Sequence, residues 1–486
     1  MATPVVMAGR AGRGAANPVP ESASSLRHLS AIVAALEWCL HFLNPNQTAI
    51  PMPSLFSLCA FAYLAIYAFE GVIRYGLYNV GLDNAILLRD GLIILPIAVL
   101  LVRQAFHFRV HPAFFVFAAI VGLHGMIATF NLHTVVPAAY GAMLLLNILF
   151  GFIAARELLR PGAFTLRVLA LIWLVSVVGI LLDKFVYTMP WTGLETHIGG
   201  IDVDVSRGWD ITGFDKRAAG FFRSSIAAAM LLPILALLMA PRIRNWLLRA
   251  FVLLATVGAV VLTTQKGSIV AIAAISAILL APSRMRYTLL CAACLTFAAL
   301  VVALPLVTAG MIVPDSGGVF SLGSFGMRIM STWPDAWKWI ANNEIFPFGV
   351  GLGGIGGPQR FYAQDFFNPS DNLFIFLYAN FGVFGLFYLA WAACAGLRLP
   401  YRMRPASITA LAILAFNLGY GAALSMLEDP ISALFLGASV GMLWQLRQMA
   451  VGGRWRDPYV GSTIETREPA LLIPAPAAGR DLVRVR

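Results

Sequence analysis

Residues 287–310 read YTLLCAACLTFAALVVALPLVTAG, without one charged side chain. About 20 mostly apolar residues are enough to carry a helix across the hydrocarbon of a bilayer. The stretch is apolar on all sides, not on one stripe or on alternate residues, so it predicts a helix sunk in lipid. The whole chain repeats the pattern. Of its 486 residues, 59% are hydrophobic and 12% charged, whereas a water-soluble protein carries about twice that charged fraction. This composition excludes a soluble enzyme, a disordered chain and a fibrous protein, and it predicts a polytopic membrane protein.

Working outward, apolar runs place spans near 53–70, 88–103, 113–130, 135–155, 166–188, 221–240, 249–265, 267–281, 287–310, 371–397, 406–424 and 431–448. Lipid admits only helices or closed barrels, and these runs do not alternate, so the expectation is an all-α fold of about twelve transmembrane helices. The stretch 29–43 is apolar but short and carries Glu37 and His41. Residues 29–52 are therefore expected to form an interfacial or re-entrant segment, with a further span as the alternative. Residues 1–28 are rich in Ala, Gly, Pro, Ser and Arg and lack the apolar core of a signal peptide, so they read as a cytoplasmic tail. Residues 449–486 read as a second solvated tail, which leaves 53–448 as the membrane domain.

The five cysteines, Cys39, Cys59, Cys291, Cys294 and Cys394, all lie in apolar stretches, so no disulfide framework and no metal site is expected. The net charge of +11 raises nucleic acid as a partner, but the placement of the charges gives another account. Alternate connections carry Arg103 and Arg109; Arg156, Arg160 and Arg167; Arg242, Arg244 and Arg249; Arg284 and Arg286; Arg398, Arg402 and Arg404, against one acid, Glu157. The remaining connections hold the acids, among them Glu195, Asp202, Asp204, Asp210, Asp215, Asp315, Asp335, Glu344 and Asp365. The positive-inside rule puts the basic connections and both termini in the cytoplasm. The basic excess is then topological, and no nucleic acid is expected.

Two outward loops exceed a plain connector: 189–220, and the larger 311–370 between the ninth and tenth spans. In the larger one, Ser331 or Thr332 is expected to cap a short helix with Pro334 in its first turn, followed by Trp337 and Trp339. Such a helix lies on the bilayer surface or roofs a cavity.

Ionisable groups near membrane depth are costly, so each is a candidate for function. The outward half holds Arg89 and Asp90 in LLRDGLIILP, Arg217 and Arg223 in KRAAGFFRSS, Lys266 in LTTQKGS, Arg328 in GSFGMRIMSTWPDAW, and Asp371 and Asn372 in NPSDNLFIFLYANFGVFG. Bland readings stand beside each. Arg89 and Asp90 fit an interfacial pair, Lys266 a snorkelling cation, and Asp371 a helix cap. Glu428 and Asp429, ahead of Pro430, read as a solvated turn, and His133 and His197 carry no partner spacing. Gly351, Gly353 and Gly356 match GxGxxG with no strand before them and Pro358 after, so they read as a flexible glycine turn and not a dinucleotide site. Taken together, the cations converge by topology beside the largest outer loop. Guanidinium groups bind phosphate oxygens in pairs, and a neighbouring carboxylate can serve as a general base.

The order of these parts resembles the O-antigen ligase and Wzy-type polymerase superfamily, similar in turn to membrane glycosyltransferases of GT-C type. The resemblance covers roughly 85–445 and rests on Arg328 … Trp337 … Asn343, FPFGVGLGG at 346–354 and DNLFIFLYANFGVFG at 371–385, with KRAAGFFRSS and LTTQKGS standing for the family's earlier motifs. It implies a transferase in the bacterial inner membrane with a periplasmic active site. The reaction expected is the inverting, metal-independent transfer of an oligosaccharide from undecaprenyl pyrophosphate to an acceptor hydroxyl, with no cofactor.

The resemblance carries Arg217, Lys266 and Arg328, with Arg223 and Arg89 beside them, as pyrophosphate-binding residues. Asp371, with Arg328, is the catalytic pair, and Trp333, Trp337, Trp339 and Asn372 would face sugar. Ligases of the family usually place histidine where this chain has Asp371. The expectation is therefore a polymerase of exopolysaccharide or O-antigen repeats, working on lipid-linked donor and acceptor with a possible chain-length-regulating copolymerase. The alternatives are a ligase acting on lipid A-core and a polysaccharide or solute transporter. A transporter would place paired charges or broken helices near the midplane in two related halves.

Overall fold

The computed structural model describes residues 55–106, 108, 110–198, 201–206, 216–308, 311–312, 322–397, 399 and 405–450. The expected tail 1–28, the segment 29–52 and nearly all of the tail 449–486 lie outside the described residues. The described chain is mostly helical. In order come α1 (Leu55–Ala68), α2 (Glu70–Asn79), α3 (Leu88–Phe106), α4 (Pro112–Leu132), α5 (Val136–Ile153), α6 (Ala155–Leu159) and α7 (Ala163–Phe185). A short antiparallel hairpin follows, β1 (Glu195–Ile198) and β2 (Ile201–Asp204), with Glu195 opposite Asp204 and Ile198 opposite Ile201. Then come α8 (Ser225–Met239), α9 (Trp246–Leu262), α10 (Lys266–Leu280), α11 (Ser283–Val307), α12 (Gly323–Met327), α13 (Trp333–Asn343) and α14 (Gln359–Tyr362). The last four are α15 (Leu373–Phe381), α16 (Val383–Cys394), α17 (Pro405–Gly421) and α18 (Pro430–Ala450).

Among the described residues, 6 helices are long and apolar enough to cross a membrane: Asp83–Phe106, Pro112–Leu132, Val136–Ile153, Ala163–Phe185, Ser225–Arg242 and Ser283–Val307. The pair α1 and α2, bent by 77°, makes up to 7. The helices α9, α10, α16 and α17 are apolar but shorter. This architecture is compatible with a multi-pass membrane protein.

The centre of the bundle is α8 and α17, in which residues 227–239 and 406–418 are all buried. Beside them, α5 and α18 approach almost backbone to backbone. A Cβ added at Gly151 would lie 1.9 Å from the Leu434 carbonyl oxygen, and one at Gly437 2.1 Å from that of Ile148. Small residues permit this close helix–helix packing where lipid supplies no hydrophobic drive.

One helix expected to be continuous is broken. The stretch 371–397 divides at Gly382, where φ is +58°. The break is filled by the glycine-rich loop. Val350 and Gly351 N–H donate to the Ala379 carbonyl (2.8 and 3.2 Å), and Val383 N–H donates to that of Pro347 (2.9 Å). A break in an apolar helix is tolerated when other protein satisfies its backbone. The same loop is therefore not the flexible glycine turn that its composition suggests. Leu352 N–H donates to the His124 carbonyl of α4 at 3.0 Å. Val350, Leu352 and Ile355 are buried. At Gly353, with φ +80°, any Cβ would sit 2.0 Å from the Pro137 carbonyl oxygen. No strand precedes the GxGxxG match; α13 does.

The helix of the large loop also starts differently from the expectation. Pro334 is in the first turn of α13, but neither Ser331 nor Thr332 caps it. Residues 328–332 form a π-helical turn that joins α12 to α13 without a break, and the Ser331 hydroxyl turns back to the Met327 carbonyl.

Candidate active site

The connections 216–224, 263–265, 322–372 and 422–429 meet at one end of the bundle, tied to one another by the hydrogen bonds described below. Arg328 heads the π-turn, a kind of turn that is frequent at functional sites. Here Arg328 Nε donates to Asp371 Oδ2 at 3.1 Å, and both side chains are 22% exposed.

The carbonyl of Thr332 at the far end of the π-turn accepts from Asn368 Nδ2 at 2.8 Å, while Asn368 Oδ1 accepts the Ser370 N–H at 2.7 Å. This holds a tight turn in which Ser370 and Asp371 adopt φ of +55° and +42°. Non-glycine residues in that region carry strain, which gathers at functional sites. Burial pushes the Asp371 carboxyl above its ordinary range, and the Arg328 charge and hydrogen bond act against that rise.

Asp371 does not cap α15. Asn372 does, accepting the N–H groups of Phe374 (2.8 Å) and Ile375 (3.1 Å), while its Nδ2 donates to the Val301 and Ala422 carbonyls. With 0% exposure, Asn372 fastens α15 to α11 and α17 and turns no face outward, contrary to its expected place at a sugar.

Tyr420, at the end of α17 and 2% exposed, is the hub of the cluster. Its hydroxyl donates to Gln265 Oε1 at 3.3 Å. The charges of Arg328, Asp371, Asp429 and Arg217 all reach that hydroxyl. Gln265 Nε2 in turn donates to Ser225 Oγ at 3.2 Å. Lys266 opens α10 directly after Gln265, and the next residue, Gly267, lies against Tyr420 and Ala423 so closely that an added Cβ would be 3.1 and 3.0 Å away. Of the expected cations, Arg328 and Arg217 act on this one tyrosine by their charges, while Lys266 is placed near it only through its neighbours Gln265 and Gly267.

Sequence reasoning missed what holds Arg217 there. Asp183 of α7, 3% exposed, takes the Lys216 ammonium at 2.7 Å and the N–H groups of Ala219 (2.8 Å) and Gly220 (3.0 Å).

Arg89 is engaged elsewhere. It pairs with Glu70 (3.0 Å) and Asp90 (3.1 Å) and covers the Tyr63 ring at 5.5 Å. Glu70 also holds Arg74 at 2.7 Å and feels the charge of Arg223. This second cluster sits at the bend between α1 and α2, and its acid, Glu70, was not expected. Arg223 acts by its charge on both Glu70 and the Tyr140 hydroxyl.

Glu428 and Asp429 are not a solvated turn. Asp429 accepts the Tyr67 hydroxyl and caps α18 through the N–H groups of Ile431 (3.0 Å) and Ser432 (2.9 Å). Glu428 Oε1 accepts Gly357 N–H at 2.5 Å and its Oε2 lies 2.5 Å from Ser425 Oγ. Desolvation pushes the two carboxyls up to about 7 for Glu428 and about 6 for Asp429.

The tryptophans brace the site. Trp333, 2% exposed, stands edge-on to Phe325 and donates to the Asp371 carbonyl at 3.4 Å, so its expected role of stacking on sugar does not fit its burial. Trp337 packs on Phe374 and Tyr378 at 5.7 and 5.5 Å. Trp339 stacks on Phe366 at 5.0 Å and donates to the Gly354 carbonyl at 2.8 Å. Among the described residues, no group of three or more His, Cys, Asp or Glu side chains is placed to hold a metal ion.

The arrangement can bind an anion at several cations and offers one half-open carboxylate beside them. No protein-family model and no curated protein matches the chain.

Proposed function

We propose that the chain is a membrane glycosyltransferase that polymerises undecaprenyl-pyrophosphate-linked repeats into exopolysaccharide or O-antigen. The observation that carries this reading is the Arg328–Asp371 pair set beside Arg217 and the Lys266 turn around Tyr420. In this reading the bent α1–α2 pair, the shorter apolar helices α9, α10, α16 and α17, and α18 also cross the bilayer, about twelve crossings in all. Both termini are cytoplasmic, and the cluster faces the periplasm of the bacterial inner membrane.

The donor pyrophosphate lies among Arg217, Lys266 and Arg328, whose charges stabilise the leaving group as its bond to the anomeric carbon breaks. The acceptor hydroxyl attacks from the opposite face with inversion, and Asp371 takes its proton. A single hydrogen bond between partly exposed groups is cheap to exchange. Donor phosphate therefore draws Arg328 away and leaves Asp371 ready as the base. The chemistry calls on no metal or nucleotide. Trp337 and Trp339, partly exposed on α13, are the aromatic surface left for sugar, while Trp333 and Asn372 hold the frame.

Lipid analysis after deletion of the gene tests the reading. Loss of a polymerase leaves undecaprenyl-linked single repeats. Full-length lipid-linked polymer would make the protein a ligase acting on lipid A-core, and material held on the inner leaflet would make it a transporter. Either result overturns the proposal.

A further inference from the structure

Glu428 has no task in the reaction above, yet it is enclosed and close enough to Asp371 to feel its charge. Three elements close on it. From the glycine-rich loop, Gly357 N–H donates to Oε1, and Gly356 makes room for it: with φ +86°, an added Cβ there would lie 2.0 Å from Oε1. From α5, the Tyr140 hydroxyl lies in its electrostatic field, and from the turn before α18 comes Ser425, 3% exposed. The charged groups that act on it are Asp371, which opposes its ionisation, and Arg360 of α14, which favours it.

Counting protons favours the protonated state. Ser425 Oγ lies 2.5 Å from Glu428 Oε2 and 3.1 Å from the Pro369 carbonyl oxygen. A serine has one hydroxyl proton. With an ionised Glu428, one of these two oxygen–oxygen contacts has no hydrogen in it. With a protonated Glu428 both are hydrogen bonds: Glu428 donates to Ser425, and Ser425 donates to Pro369. The Pro369 carbonyl is also the acceptor for Asp371 N–H at 2.6 Å. The relay therefore ends on the strained turn that carries Asp371.

We propose that Glu428 is a protonated positioning residue: through Ser425 it pins the 369–371 turn, and through Gly357 it joins that turn to the glycine-rich loop. Ionisation takes the Ser425 proton away from Pro369 and adds a second negative charge beside Asp371, so it both loosens the turn and raises the proton affinity of the base. The part played by Asp371 rests on the glycosyltransferase reading; the protonation state and the hydrogen-bond relay do not. The sign of the stability effect follows. A carboxyl whose affinity for protons is higher folded than unfolded stabilises the fold fully below its unfolded value of about 4.3. That contribution is lost as pH rises through about 7, where the carboxyl titrates in the folded protein.

Infrared titration of the purified full-length protein in lipid nanodiscs reads the carboxylic C=O stretch. The expected result is a band that persists from acidic pH and vanishes with a midpoint of about 7. The band is missing from Glu428→Gln and titrates at lower pH in Asp371→Asn, where the neighbouring negative charge is gone. In a polymerisation assay, Glu428→Ala falls about tenfold, the effect of stranding the buried Gly357 N–H and Ser425 hydroxyl. Glu428→Gln, which keeps a donor for Ser425 and an acceptor for Gly357, recovers most of that loss and no longer declines with alkalinity. A wild-type spectrum without the band, or a Gln variant as impaired as the Ala variant, overturns the proposal. Should the chain prove not to be a polymerase, the infrared arm decides the protonation state by itself.

Discussion

Two clusters of arginine and carboxylate stand near each other in this protein, and they are built to opposite ends. At the bend between α1 and α2, Glu70 is gripped by Arg74 and Arg89, with side chains only 4%, 8% and 15% exposed. Beside Tyr420, Arg328 and Asp371 share a single hydrogen bond at 3.1 Å, each 22% exposed. In the first cluster Arg74 and Arg89 are each paired with an acid and little exposed, although Arg74 Nη1 is buried without a hydrogen-bond partner. In the second, the carboxylate is partly desolvated, its backbone is strained, and a single hydrogen bond joins it to its partner. In the proposed reading, exposure and the number of partners, not residue type, separate a framework ion pair from a chemical one.

The sharpest break of this comparison is Glu70→Ala. It strands buried guanidinium groups, so it is expected to cost about 3–5 kcal/mol and to remove folded protein from the membrane, as read by size-exclusion of a fluorescent fusion. Asp371→Asn is its counterpart. Thermal unfolding of that variant stays near wild type, because a partly exposed pair contributes about 1 kcal/mol or less, while transfer falls by about 10²–10⁴-fold with loss of the base. If the two variants lose stability alike, the distinction between the clusters fails.

Smaller effects sharpen it. Gly356→Ala forces a Cβ onto Glu428 and a side chain onto a positive φ, at a cost of about 1–3 kcal/mol; an unchanged melting temperature would contradict the packing of the glycine-rich loop. Arg328→Lys keeps the charge but loses the guanidinium Nε that hydrogen-bonds Asp371. Since that contact holds the carboxyl down against burial, its loss raises the proton affinity of Asp371. The acid limb of the pH–rate profile then moves to higher pH, and a shift the other way counts against Asp371 as the base. Trp339→Phe removes one hydrogen bond, to the Gly354 carbonyl, and is expected to cost only about 0.5–1.5 kcal/mol in thermal unfolding.

Much of this was legible in the sequence wherever the signal is local. Uncharged runs such as 287–310 announce their helices, and KRAAGFFRSS, Arg328 and Asp371 stand out because charge is scarce. Even Glu70 and Arg74 offered a local cue, since their spacing of four is that of a helical ion pair, but they sit in an apolar run whose hydropathy hid them. What escaped was non-local. The break at Gly382 looks like one helix in sequence, because the N–H groups that satisfy it come from 350 and 351. Glu428 and Asp429 before a proline look solvated, because the groups that enclose them, Gly357 and Tyr67, lie 71 and 362 residues away. The alternation in ETHI and IDVD that pairs into a hairpin is too short to weigh against so many apolar runs.

The central claim is that Arg328, set opposite Asp371, acts on the leaving group and not on the fold. The most direct measurement is the length distribution of lipid-linked glycan in cells whose only copy is Arg328→Ala, with the amount of folded protein in the membrane measured alongside. The account predicts wild-type levels of protein and undecaprenyl-linked single repeats in place of polymer. Polymer of normal length at that protein level would contradict it.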